Sequence, residues 1–170
     1  AEVVAVVNRS RASSEAVARD FDIPEVADRW QDLPDRPDLN AIFIGTWPYM
    51  HKEMSIAALD AGKHVFCQAR LCMNLEEGRA MHAASEAHAD LVNMICPCPW
   101  PREHYIRDMI VSGQLGSITS VELMAVTGAN LDLTTVTWRE RIEYSGRQVM
   151  MMGILAETLN AMVGPYEQLS

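Results

Sequence analysis

Residues 41–67 read AIFIGTWPYMHKEMSIAALDAGKHVFC, and the reading of this stretch decides the fold. Ala41-Ile42-Phe43-Ile44 is a short apolar run closed by Gly45, the signature of a strand bounded by a turn. Residues 48–61 then place Met50, Met54, Ala57 and Ala58 on one face of a helix. Gly62 stands where a helix C′ residue belongs, because glycine takes the left-handed conformation without steric cost. His64-Val65-Phe66-Cys67 is the next strand. Strand–helix–strand at this spacing implies parallel strands joined by a right-handed crossover.

The alternation extends in both directions. Upstream, Val3-Val4-Ala5-Val6-Val7 lacks polar alternation, as in a strand covered on both faces. Residues 13–21 read as a helix with Val17 and Phe21 on one face, followed by a short element over 23–26 and a polar segment holding Pro34 and Pro37. Downstream, Asn74 offers an N-cap with Glu77 three residues later, a capping box opening a helix to about His88. Residues 91–96 form a fourth strand. The predicted class is α/β, a Rossmann-like parallel sheet.

Cys96-Pro97-Cys98-Pro99-Trp100-Pro101 continues neither a helix nor a central strand and reads as a boundary. Beyond it the pattern predicts a helix over 103–111, a turn over 112–116 and a strand over 118–126. In that strand Ser120, Glu122 and Met124 alternate with Val121, Leu123 and Ala125. A polar stretch with Trp138 leads to a last apolar helix over 149–163, stopped at Gly164-Pro165. The predicted organisation is a Rossmann-like dinucleotide-binding domain over 1–97 and the start of an α/β domain with an open sheet over 98–170.

With 170 residues, 49% apolar and 22% charged, the chain has ample material for a core, which excludes disorder. Its net charge of −9 argues against nucleic acid and anionic membrane as partners. No stretch approaches the roughly 18 uninterrupted apolar residues of a membrane span. Cys67 and Cys96 lie in strand-like runs and read as small hydrophobes, while Cys96 and Cys98 lack the spacing and partners of a zinc or thioredoxin site. No metal is expected, and a reducing cytoplasm fits.

Three segments, taken together in order, carry a resemblance: Gly45-Thr46-Trp47-Pro48-Tyr49-Met50-His51, Ala58-Leu59-Asp60-Ala61-Gly62-Lys63-His64-Val65 and Ser112-Gly113-Gln114-Leu115-Gly116. The chain resembles the Gfo/Idh/MocA family of NAD(P)-dependent oxidoreductases, which act mostly on sugars, inositols and related polyols. The resemblance implies a nicotinamide cofactor, a sugar-like small-molecule substrate and self-association into a homo-oligomer. It also shows departures. No G-x-G-x-x-G, the turn that seats a pyrophosphate on a helix N-terminus, occurs in the sequence, and the chain reads as an internal portion of a longer protein. The family's Glu-Lys-Pro is replaced by Gln68-Ala69-Arg70, so the lysine position is Ala69. Lys63 is about 20 Å away at the other end of the strand and is no substitute. The family's Asp and His, aligned on Gly153, fall on Met151 and Leu155.

Candidate sites follow from these positions. Asn8-Arg9-Ser10 ends the first strand without the acid that accepts the ribose hydroxyls of NAD. Arg9 and Ser10 can instead serve a 2′-phosphate, favouring NADP over NAD, with helix capping by Ser10 and Ser13 as the plain alternative. Thr46, Trp47, Pro48 and His51, with Gln68, Ala69 and Arg70, are the expected nicotinamide-side residues. Replacement acid–base candidates are Glu157, His51 and Tyr49; His51 is equally read as orienting its turn by a hydrogen bond. Trp138, Arg139 and Asn160 are the substrate-binding candidates. Met150, Met151 and Met152 read as adaptable core packing. Two activities stay open: hydride transfer at a hydroxyl or carbonyl carbon of a sugar-like or cyclic polyol, including a net non-redox variant through transient oxidation, and a redox-silent binding or regulatory protein on an oxidoreductase scaffold.

Overall fold

The computed structural model describes residues 1–96, 103–126, 128, 134–147 and 150–165. Residues 97–102, Cys98 among them, and Val149 lie outside them, as do the side chains of Met150 and Met151. Five strands, β1 (Ala5–Val6), β2 (Glu25–Val26), β3 (Ala41–Ile44), β4 (His64–Cys67) and β5 (Asn93–Ile95), are described. They alternate with helices α1 (Arg11–Asp20), α2 (Pro48–Asp60) and α3 (Leu75–Ala87), and the later helices are α4 (Glu103–Val111), α5 (Ile142–Ser145) and α6 (Met150–Val163). Every strand pair is parallel: β1 with β2, β3 with β4, and β4 with β5. Among the described residues they form two sheets, ordered β1-β2 and β3-β4-β5.

Local chemistry sets the boundaries. Pro48 occupies the first turn of α2, where its missing N–H costs nothing and its fixed φ already suits a helix. At the other end Gly62 has φ +74°. Gly62 N–H donates to Leu59 and Lys63 N–H to Ala58, each at 2.9 Å, the bonding of a Schellman stop. α2 buries Met54, Ala58 and Leu59 against Ile44, Val65 and Cys67 of β3 and β4, which together form the core.

Lys63, almost fully buried, donates its ammonium to the Arg36 carbonyl at 2.7 Å. Arg36 in turn pairs with Glu25 and Asp38, and its guanidinium holds the Asp38 carboxyl below the ordinary range. This ion-pair group sits before β4, away from the strand ends where the candidate residues cluster.

Several expectations are corrected. The first strand is Ala5–Val6 alone and half-buried, with Val3 62% exposed, because β2 pairs with it over only two residues. Phe21 is 73% exposed and ends α1 rather than packing beside Val17. Asn74 caps α3 by accepting from Glu77 N–H at 2.9 Å, but the Glu77 carboxylate turns to Met73 N–H at 3.0 Å, one residue short of a closed capping box. Residues 118–126 form no strand, and Val121, Met124 and Val126 are exposed. A strand exists only with a partner for its N–H and C=O groups, and none pairs with this segment among the described residues. No described helix is long and apolar enough to cross a membrane.

The contacts divide the chain into two compact units. The first holds Ala1–Cys96 and Glu143–Gly146; the second holds Pro97–Ile142 and Arg147–Ser170. In the second, α4 packs on α6, and Arg107 donates to the Ala161 carbonyl at 3.3 Å.

Leu59 is completely buried, so Leu59→Ala is expected to lower stability by about 3 kcal/mol through lost transfer energy and the cavity left behind, read by urea unfolding. Burial pushes the Cys67 thiol up to about 11 against an opposing contact from Ser55. Cys67 is therefore the last of the described cysteines to react with a thiol reagent at pH 8. Stability falls as pH rises from about 9 toward 11, since the unfolded chain then releases a proton that the folded one keeps.

Candidate functional site at the carboxyl ends of the strands

Parallel strands present their carboxyl ends at one edge, where ligands of open α/β sheets bind. In the first unit β1 delivers Asn8, Arg9 and Ser10 to this edge, β3 delivers residues 45–48, and β4 delivers residues 68–70. At the end of β1, Asn8 N–H donates to Ser14 Oγ at 2.8 Å, and Ser10 caps α1 by accepting from Ser13 N–H at 3.3 Å. The Arg9 guanidinium lies over the Trp47 ring, 4.8 Å from its centroid. This cation–π contact brings the end of β1 to the end of β3. Gly45 leaves open space where a Cβ would stand.

His51, in the first turn of α2, is fully buried. Its Nε2 is 2.9 Å from the Thr46 carbonyl, and its Nδ1 lies 2.8 Å from the Arg70 carbonyl and 3.1 Å from that of Leu71. These oxygens accept only, so the protonated nitrogen of the ring is the one that donates, and the ring lies between the turn after β3 and the loop after β4. Neither nitrogen is presented to solvent.

Gln68 N–H donates to the Ile44 carbonyl at 2.9 Å, continuing the sheet by one step, and the Gln68 and Ala69 side chains are exposed. The Arg70 guanidinium turns to Ser145, donating to its carbonyl at 2.5 Å and to its hydroxyl at 2.6 Å. Ser145 is wholly buried. Beside it the Tyr144 ring packs on Trp47 at 4.8 Å and on Tyr49 at 5.8 Å between centroids. Gly146 has φ +64° and meets the Met73 carbonyl so closely that a Cβ there would collide with it.

The first unit thus gathers Asn8, Arg9, Ser10, Thr46, Trp47, Pro48, Tyr49, His51, Gln68, Ala69 and Arg70 along one edge. Trp138, Arg139, Glu157 and Asn160 belong to the second unit. There Thr137 and Glu140 form a capping box around a 3-10 turn, and Arg139 lies over the Trp138 ring at 4.4 Å. Glu157 and Asn160 are exposed on α6, with buried Thr158 between them. Met152 is 67% exposed, against its reading as core.

Tyr144, Ser145 and Gly146 went unread in the sequence. Their partners lie more than 70 residues earlier in the chain, and the only local signal was a glycine in a polar stretch.

A family model described as an oxidoreductase family with an NAD-binding Rossmann fold matches residues 1–95. The chain belongs to the Gfo/Idh/MocA family. Among curated members it is 33% identical over 116 residues to 1,5-anhydro-D-fructose reductase of Ensifer adhaerens, covering 68% of this chain and 35% of that protein. It is 29% identical over 165 residues to trans-1,2-dihydrobenzene-1,2-diol dehydrogenase of Oryctolagus cuniculus, covering 95% and 48% respectively. Levoglucosan dehydrogenase solved in complex with NADH superposes with a TM-score of 0.78 at 21% identity, over 95% of this chain and 45% of that one; at that identity the likeness shows the fold. The chain spans between a third and a half of the length of these Gfo/Idh/MocA relatives.

His51→Ala removes the ring that fills the space between the two turns, together with the N–H it donates to a backbone carbonyl, and is expected to cost about 3 kcal/mol, measured by urea unfolding. Gly146→Ala, strained by its positive φ and by the Met73 carbonyl, is expected to cost more than about 1 kcal/mol.

Proposed function

We propose that the full-length protein is an NAD(P)-dependent oxidoreductase that moves a hydride to or from a hydroxyl or carbonyl carbon of a sugar-like or cyclic polyol substrate. The observation that carries the reading is the shared edge at which Arg9, Trp47, Thr46 and the residue 68–70 loop meet. Its donor set fits the two ends of a dinucleotide. Arg9 and the hydroxyl-rich start of α1 suit the adenosine end, and Thr46 with the exposed Gln68 and Ala69 suits the nicotinamide end. No Gly-rich pyrophosphate turn occurs in the sequence, so these residues account for the ends of the cofactor and not its middle. Relatives named as sugar and cyclic-diol oxidoreductases support the substrate class.

When bound, the nicotinamide accepts or returns the hydride. The chain's own residues shape the pocket, exclude water and handle the proton. Ala69 cannot move a proton from the family's lysine position. His51 keeps the pocket's turns in register, its nitrogens held by backbone carbonyls. For the substrate's hydroxyl proton in the oxidising direction, the remaining candidates are Glu157 and Tyr49, both exposed. Glu157→Gln and Tyr49→Phe in the full-length protein separate them: the variant that loses turnover while retaining nicotinamide binding identifies the base.

At the adenosine end Arg9, in place of an acid, favours NADP. Titration of the full-length protein with NADPH and NADH, followed by nicotinamide fluorescence, tests the reading. NADPH is expected to bind more tightly, and Arg9→Ala to weaken NADPH about tenfold or more with little effect on NADH, as loss of a charge-assisted hydrogen bond requires. Equal loss for both nucleotides contradicts the 2′-phosphate role. Binding of neither overturns the oxidoreductase reading in favour of a redox-silent binding protein.

A further inference from the structure

Arg70 stands where the family carries the proline of Glu-Lys-Pro, and the structure gives it a task that a proline cannot perform. Its backbone carbonyl lies 2.8 Å from His51 Nδ1, while its guanidinium donates to the Ser145 carbonyl at 2.5 Å and hydroxyl at 2.6 Å. Ser145 and His51 are both fully buried. The neighbouring Tyr144 ring lies against Trp47, the residue before Pro48 at the start of α2. These contacts close a circuit within the first unit: the Thr46 carbonyl to His51, His51 to Arg70, Arg70 to Ser145, and Tyr144 back to Trp47.

The strength of each link follows from its chemistry. A guanidinium presents N–H groups in a fixed fork, and two of them engage one residue here. The acceptors are a carbonyl and a hydroxyl of a wholly buried residue, where a charge-assisted hydrogen bond is stronger than a neutral one. The helix that carries Ser145 is the four-residue α5, too short to stand without tertiary contacts. Glu143 and Gly146 flank the two anchored side chains, and Gly146 fits only because it lacks a Cβ.

We infer that Arg70 is a positioning residue: by fastening Ser145 it seats Tyr144 against Trp47 and so fixes the wall of the nicotinamide-side pocket formed by residues 46–48. The inference rests on the oxidoreductase reading above and adds a residue role to it. Arg70 does not need to touch the cofactor. It replaces the family's rigid proline with a tether that reaches a distant part of the chain, in a loop where Ala69 has already given up the lysine.

Two readouts on the full-length protein test this. Hydrogen exchange followed by mass spectrometry reports whether residues 142–147 are docked. Steady-state kinetics and nucleotide titration report the pocket. In Arg70→Ala, exchange in 142–147 is expected to rise at least tenfold, and the KM and Kd for the nicotinamide nucleotide to rise about tenfold with a smaller change in kcat. Arg70→Lys, which retains one charged donor, is expected to recover part of both effects. Ser145→Ala, which removes only the hydroxyl acceptor, guards against misfolding of the arginine variants and is expected to shift both readouts in the same direction by a few-fold.

Arg70→Ala with unchanged exchange in 142–147 overturns the tether. Raised exchange with unaltered nucleotide affinity and kinetics overturns the positioning role and leaves a purely structural contact. A wild-type protein that binds neither nucleotide overturns the oxidoreductase reading itself, and the inference falls with it; wild-type binding combined with unaffected variants overturns the inference alone.

Discussion

The His51 ring lies fully buried between the Thr46 carbonyl on one side and the Arg70 and Leu71 carbonyls on the other, and the geometry of the whole strand-end edge depends on it. Turns that follow parallel strands carry backbone groups that the sheet no longer pairs, and such groups must find partners or water. A side chain on α2 that reaches two such turns at once makes them a single surface. Without it the turn after β3 and the loop after β4 would each settle on its own. Arg70 then extends this surface to residues 143–146, and Arg9 closes it toward β1 through the Trp47 ring.

By its resemblance to the family the chain carries apolar residues, Ala69, Met151 and Leu155, at the usual proton-handling positions. The frame survives the change because it is built largely from backbone carbonyls, an imidazole and aromatic rings, none of which depends on the lysine. Positive charge at the edge comes from arginines, which cannot act as bases near neutrality. An overall charge of −9 coexists with this local basic character, since Arg9 and Arg70 both lie at the strand ends while acids such as Glu76 and Glu77 lie on α3.

What the sequence made legible was local. The stretch 41–67 gave its strand, helix and strand directly, because apolar runs, a proline at the helix start and a glycine at its end act within a few residues. Asn8, Arg9, Thr46 and Trp47 were read as candidates because they follow strands, and position after a strand is itself a local property. The misreadings share a different cause. The run over 118–126 alternates correctly for a strand but acquires none without a pairing partner. The first strand shortened because its neighbour pairs over only two residues. Ser145 was silent because its meaning comes from Arg70, 75 positions earlier. For His51 the sequence left two readings, orienting the turn or moving a proton, because the three carbonyls around its ring come from Thr46, Arg70 and Leu71, two of them about twenty positions later.

The central claim is that the turns joined by His51 form the face that receives the nicotinamide nucleotide. Hydrogen exchange of the full-length protein with and without saturating NADPH tests it most directly. The account predicts slower exchange on binding in peptides covering residues 45–51 and 68–71, with residues 112–126 unchanged. Tight NADPH binding that leaves 45–51 and 68–71 unprotected would contradict it.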